Sequence, residues 1–156
     1  MMDAMESLPA SVLIIEGYPL LRVALCNAVA AEPDLQIAMV DLDDSLTLEI
    51  PGMEDVLLVP NKLDLVLLSL GNPGLRELNA LRVLHHARPQ IPILVLTSNE
   101  VPGQDQAALE AGAQAIVSKS ASRGEIIQAL RVMRRKYSIH CHSDIQSQEV
   151  NENTIQ

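Results

Sequence analysis

Four polar residues stand where short apolar runs give out: Glu16, Ser69, Thr97 and Lys119. They follow or end Val12-Leu13-Ile14-Ile15, Leu65-Val66-Leu67-Leu68, Ile93-Leu94-Val95-Leu96 and the run beginning Ala115-Ile116-Val117. A carboxylate, two hydroxyls and an ammonium at neighbouring strand ends have three obvious uses: a hydroxyl nucleophile, a carboxylate-held cation, or a small-ligand pocket. Ser69 sits in Leu68-Ser69-Leu70-Gly71, without the flanking glycine of a hydrolase elbow, and no Asp…His order with local support follows it. Catalysis by Ser69 is therefore not expected. Gly71-Asn72-Pro73-Gly74 lacks the G-x-G-x-x-G spacing, and Pro73 removes a donor, so it reads as a plain loop rather than a phosphate cradle. His140-Cys141-His142 has metal-binding side chains but no spaced second pair, which suits adventitious affinity rather than a closed site. His85-His86 falls on a helical pattern, one ring expected part-buried and the other exposed.

The elements that would position these residues alternate between short apolar runs and longer helical patterns, the mark of βαβ units and a parallel sheet. After Glu16-Gly17, Pro19 suits the first turn of a helix, with Leu21, Ala24, Leu25, Ala28 and Val29 at helical spacing and Glu32-Pro33 as its end. Leu35 to Val40 reads as a second strand. Leu75, Leu78, Leu81, Val83 and Leu84 read as a helix that runs until Arg88-Pro89, and Ala107 to Ala111 as another that closes at Gly112. The last helix starts from a capping box, Ser122 with Glu125, and its core face is Ile126, Ile127, Leu130 and Met133. Arg131, Arg134, Arg135 and Lys136 lie towards its C-terminal end, where the helix dipole favours cations. Residues 41–61 break the alternation and are expected to be irregular, Leu46, Leu48 and Ile50 following strand rather than helix period. Residues 1–10 are expected to be flexible, 11–137 to fold, and the polar stretch 138–156 to be disordered.

Composition bounds the function. With 156 residues, 48% hydrophobic and 20% charged, the chain has the size and balance of one globular domain. No segment approaches the roughly 18 apolar residues of a membrane span, and the start lacks a basic flank before an apolar stretch. Two cysteines, Cys26 and Cys141, are too few for a disulfide scaffold, so a cytoplasmic location is expected. The net charge of −9 is uneven: residues 1–64 hold twelve Asp and Glu against Arg22 and Lys62, a net −10, leaving +1 beyond them. That acidic half repels phosphate, and Tyr18 and Tyr137 are the only aromatic rings available to stack on bases, so direct nucleic-acid binding is disfavoured.

Taken in order, the segments VLIIEGYPLLR (12–22), DLVLLSLGNPG (64–74), ILVLTSNE (93–100) and AGAQAIVSKSASRGEIIQAL (111–130) resemble the receiver domain of bacterial response regulators, closest to the branch that precedes a LuxR-type DNA-binding domain. The resemblance implies a doubly wound, flavodoxin-like α/β fold with a five-stranded parallel sheet, order 2-1-3-4-5. Position by position it sets Glu16 and Gly17 in place of the receiver's acidic pair and Ser69 in place of its phosphate-accepting Asp. Thr97 and Lys119 match its retained Thr and Lys, and Ile116 stands where its switch aromatic would be. A hard Mg²⁺ ion wants several oxygen ligands with carboxylate charge, and one carboxylate of three is left, so Mg²⁺ binding is not expected. A serine hydroxyl forms only a phosphate ester, which needs a base that is missing here. The implied function is a phosphorylation-independent pseudo-receiver, not an enzyme, acting on a protein partner in a signalling pathway. The resemblance implies dimer and partner surfaces on the first and last helices or on the face of helix four, strand five and helix five. A homodimer is expected there because Ala129 and Val132 widen the apolar stripe of the last helix. Two alternatives remain: the receiver part of a transcriptional regulator whose DNA-binding domain is absent from this chain, or a small ligand-binding α/β domain using the strand-tip pocket. An ion pair between Glu16 and Lys119 across the strand tips is the expected replacement for the lost charges.

Overall fold

The computed structural model describes residues 8–40 and 63–137. Its strands are β1 (Ala10–Ile15), β2 (Leu35–Val40), β3 (Leu65–Ser69), β4 (Ile93–Thr97) and β5 (Ala115–Ser118). They form one parallel sheet in the order β2-β1-β3-β4-β5, the expected doubly wound topology. Helices α1 (Pro19–Ala30), α2 (Leu75–Ala87) and α3 (Gln104–Ala111) connect them, and α4 (residues 123–137) follows β5. The expectations for residues 41–61, for the tail after 137 and for His140-Cys141-His142 lie outside the described residues. Ala10, assigned above to a flexible start, instead opens β1: its N–H donates to the Asp34 carbonyl at 3.0 Å and its side chain is buried. Among the described residues, no helix is long and apolar enough to cross a membrane.

The unbroken apolar runs follow from burial on both faces of the sheet, since alternation then no longer separates inside from outside. Val12, Ile14, Leu65, Leu67, Leu94 and Leu96 face one side, against Leu25, Ala28 and Val29 of α1 and Ile126, Ile127, Leu130 and Met133 of α4. Leu13, Val66, Leu68, Ile93 and Val95 face the other, against Leu78, Leu81 and Leu84 of α2 and Ala108 and Ala111 of α3. Cys26 is part-buried against the first of these layers, and burial raises its thiol pKa, which makes it a poor nucleophile.

Local chemistry sets the helix ends. Pro19 opens α1, where its missing N–H leaves no orphan donor. At α4 the Ser122 hydroxyl accepts from the Glu125 N–H at 3.1 Å, and the Glu125 carboxylate accepts from the Ser122 N–H at 2.8 Å, the expected reciprocal cap. Helix α3 begins one turn before Ala107, at Gln104, because Gly103 takes a left-handed φ of 79° and turns the chain into the helix there. It ends at Gly112, whose φ of 123° and close approach to His85 admit no side chain: a Cβ there would lie 2.6 Å from the imidazole Cγ.

The cations of α4 reach further than its dipole. Arg131 grips Asp34 with two hydrogen bonds, Nε to Oδ2 at 2.9 Å and an NH2 donor to Oδ1 at 3.0 Å, and also pairs with Glu32. Arg134 donates to the Asp34 carbonyl at 3.0 Å and the Leu8 carbonyl at 2.6 Å. These contacts fasten α4 to the amino ends of β1 and β2. The hydrogen bonds from Arg131 hold the Asp34 carboxyl below its usual pKa.

Two outcomes follow. Gly112→Ala should lower stability by about 1–3 kcal/mol in urea unfolding, the cost of a strained backbone with no space for the new methyl; an unchanged midpoint would refute the packing described. Asp34, with its folded pKa depressed, contributes stability above its unfolded pKa and loses it as pH falls through the folded one. The stability gap between the wild type and Arg131→Ala should therefore be full at neutral pH and close on acidification, and a gap independent of pH would contradict this.

Candidate functional site

The carboxyl ends of β1, β3, β4 and β5 bring Glu16, Ser69, Thr97 and Lys119 to one end of the sheet, as in other open α/β sheets that place sites at strand tips. The β1–β3 register pairs Ile15 with Leu68, so Glu16 and Ser69 are the next residues along each strand. Ser69 pairs with Leu96 on the other side, and Thr97 pairs with Ser118. Glu16 and Ser69 are each only 3% exposed and Thr97 only 2%. Lys119 is half-buried, and its N–H donates to the Thr97 carbonyl at 2.8 Å.

The four groups differ in how their polar atoms are met. One oxygen of Glu16, Oε2, accepts from the Tyr18 N–H at 2.9 Å at the mouth of α1; the other, Oε1, is buried without a partner. The Glu16 carbonyl accepts from Arg22 at 3.1 Å. The Ser69 hydroxyl is likewise buried without a partner. Thr97 donates to Asp105 Oδ1 at 2.6 Å, a hydroxyl committed to a carboxylate. The expected ion pair between Glu16 and Lys119 is not formed. The reason is local, since the Glu16 carboxylate is drawn to the first turn of α1, while a half-exposed ammonium stays hydrated and gains little from pairing.

Gly17 is exposed, and a Cβ there would meet nothing within 4 Å, so packing does not demand glycine at this position. Ile116 packs part-buried on the α2–α3 side of the sheet. One carboxylate beside a glycine and a serine is a poor match for Mg²⁺, which favours charged oxygen ligands in octahedral array. Among the described residues, no cluster of three or more His, Cys, Asp or Glu side chains is placed to share an ion. His85 is part-buried and His86 exposed, as expected for neighbours on a helix.

Two residues of this site escaped the sequence reading. Gln104 is 3% exposed and its amide spans two loops: Nε2 donates to the Gly71 and Pro73 carbonyls at 3.0 and 3.3 Å, and Oε1 accepts from the Ser98 N–H at 2.8 Å. Asp105, beside it, is the acceptor for Thr97. With the helix start set at Ala107, both lay in an apparent loop. The available signal was Gly103, a glycine immediately before an amide and a carboxylate.

Comparison with known proteins gives one consistent result. Residues 12–131 match the family described as response regulator receiver domain. The chain is 30% identical over 121 residues to the glycerol metabolism activator of Pseudomonas putida, covering 76% of this chain and 51% of that protein. It is 28% identical over 130 residues to the fimbriae Z protein of Salmonella typhimurium, covering 83% of this chain and 59% of that one. The chain thus spans little more than half the length of these relatives. Among solved structures, a LuxR-family two-component response regulator from Aurantimonas superposes with a TM-score of 0.67 at 22% identity, covering 82% of this chain and 86% of that one. A CheY-like receiver domain from Methanospirillum hungatei gives 0.67 at 14% identity, covering 85% and 98%.

The unequal partnering of the two buried hydroxyls makes opposite forecasts. Thr97→Val removes the buried donor of the bond to Asp105, whose exposed carboxylate water can then solvate, and should cost about 0.5–1.5 kcal/mol by chemical denaturation. Ser69→Ala removes an oxygen that no group meets and should be neutral or stabilising. Equal losses from both variants would contradict the hydrogen bonding described.

Proposed function

The chain belongs to the response regulator receiver domain family, and on that premise we propose that it is a pseudo-receiver: a signalling module that works by protein contact, independently of phosphorylation. The observation that carries this reading is Ser69, a neutral, buried hydroxyl without a partner at the position where the family resemblance expects the acceptor carboxylate. Attack on a phosphoryl donor needs a nucleophile activated by a base and charge-stabilised by a cation. Glu16 offers one carboxylate with one oxygen already bound to the Tyr18 N–H, and Gly17 offers none. Neither Mg²⁺ nor enzymatic turnover is part of the reading, and its place of action is the cytoplasm.

The proposed contact surface is the outer side of α1 with the neighbouring side of α4. Leu20 is 86% exposed and Val23 56%, with Ala24 and Asn27 open beside them. Arg22, the one charged residue of α1, is turned onto the Glu16 carbonyl, so the outer side is uncharged. Val132 of α4 is also exposed. An uncharged helical face of this kind suits a second copy of the chain, and homodimerisation through it is part of the proposal. Direct nucleic-acid binding by this chain is not. A second reading, the receiver half of a regulator that acts together with a DNA-binding domain, is favoured by the greater length of the relatives.

Incubation with acetyl phosphate and Mg²⁺ should leave the wild-type mass unchanged, whereas Gly17→Asp with Ser69→Asp, which rebuilds the missing carboxylates, should gain a hydroxylamine-labile phosphoryl group. A phosphoryl adduct on the wild type would overturn the proposal. Leu20→Asp should weaken self-association by about tenfold or more in sedimentation equilibrium, as expected for a charge in the middle of an apolar contact. A wild type that is monomeric at high concentration removes the dimer.

A further inference from the structure

Adjacent residues in the first turn of α3 send both side chains back to the strand tips. Gln104 is buried, and its amide meets three backbone groups on two different loops: the carbonyls of Gly71 and Pro73 after β3, and the Ser98 N–H after β4. Both amide donors and one acceptor site of the amide oxygen are thereby engaged by the two loops. Asp105 takes the Thr97 hydroxyl, so the polar group at the end of β4 is turned to α3. Backbone geometry serves the same arrangement. Gly74 has a φ of 85°, and a Cβ there would lie 2.9 Å from the Gly71 carbonyl oxygen and 3.1 Å from Gln104 Nε2, so the residue that ends this loop must be glycine for the amide to enter.

We propose that Gln104 and Asp105 form a latch that couples the loop at 70–74 to the loop at 98–103 and ties the Thr97 hydroxyl to α3, giving this end of the domain one resting arrangement. Each part of the latch depends on the same short turn. Moving the loop after β4 outward would strip the Ser98 N–H from Gln104 Oε1 and leave the buried amide facing one loop only. Moving the loop after β3 would orphan both amide hydrogens. Either motion leaves buried polar groups unmet, so the two loops move together or not at all. The latch concerns mechanical coupling and stands whether or not Ser69 can be modified.

Hydrogen–deuterium exchange of the full chain, read by mass spectrometry on peptides over 70–74 and 98–103, tests it. Gln104→Ala should speed exchange in both loops together, by about tenfold or more for the loss of three hydrogen bonds. Gln104→Glu keeps the side-chain shape but sets a carboxylate oxygen against the Gly71 and Pro73 carbonyls. It should give the same paired response, and it serves if the alanine variant folds poorly. Gln106→Ala, on the exposed side of α3 where Gln106 meets only Glu110, should change neither loop. Faster exchange confined to 98–103 would make Gln104 a local staple of its own loop and overturn the coupling, as would no change in either loop.

Discussion

A parallel sheet covered on both faces has no polar side, so its polar chemistry is driven to the strand ends. In this chain that constraint is severe, because the groups at the carboxyl ends are themselves out of water: Glu16, Ser69, Thr97 and Gln104 are all buried. Each must find a partner within the protein or remain unmet at a cost of about 1–3 kcal/mol. Thr97 and Gln104 each find partners in the first turn of α3 and the loops it touches. Glu16 is half met, and the Ser69 oxygen is not met at all. The unmet atoms are confined to the β1–β3 side of the tips, and the satisfied ones to the β4–α3 side. That division separates two incompletely satisfied tips, Glu16 and Ser69, from a framework whose hydrogen bonds close between α3 and the two loops.

The opposite end of the sheet is fastened differently. Arg131 and Arg134 of α4 reach across to Glu32, Asp34 and the Leu8 carbonyl, at the amino ends of β1 and β2. These are charged contacts to groups that stay partly in water, so they add orientation and a dependence on pH rather than a large share of stability. The stability itself lies in the two apolar layers between the ends. The groups at the tips stand apart from both, since neither the layers nor the α4 contacts involve Glu16, Ser69 or Lys119.

How much of this was legible in the sequence depended on which force wrote it. Strand β2, the boundaries of α2, and the α4 capping box could be read directly, because burial and hydrogen-bond capping leave periodic or fixed-offset marks. The core face Ile126, Ile127, Leu130 and Met133 was legible for the same reason, and all four are buried. The placing of Glu16, Ser69, Thr97 and Lys119 at one sheet end followed from strand ends alone. Their pairing did not. Opposite charges at neighbouring tips suggested Glu16 with Lys119, but side-chain direction is fixed by the local turn, and Tyr18 offered its N–H closer at hand. Gln104 and Asp105 were missed because a polar first turn carries no apolar period; only Gly103 marked the start. Arg131 was read as a dipole partner because nothing in a linear pattern reveals an acceptor 97 residues away.

A two-state switch needs a second arrangement whose buried groups are also met, since a ligand moves an equilibrium only by its preference for one state. At these strand tips the Gln104 amide is engaged by both loops and the Thr97 hydroxyl by Asp105. Any displacement of the loop after β4 would have to supply substitutes for the Ser98, Gly71 and Pro73 contacts. A phosphoryl group on a carboxylate could offset such a loss by drawing Thr97 to itself; a serine hydroxyl without a base, beside a glycine, supplies no comparable attraction. On the proposed reading, the residues that withhold the chemical input also withhold what would drive the loops apart. A domain in that position presents its outer surfaces, α1 foremost, in one form, and signalling by it becomes a matter of which partner fits that form.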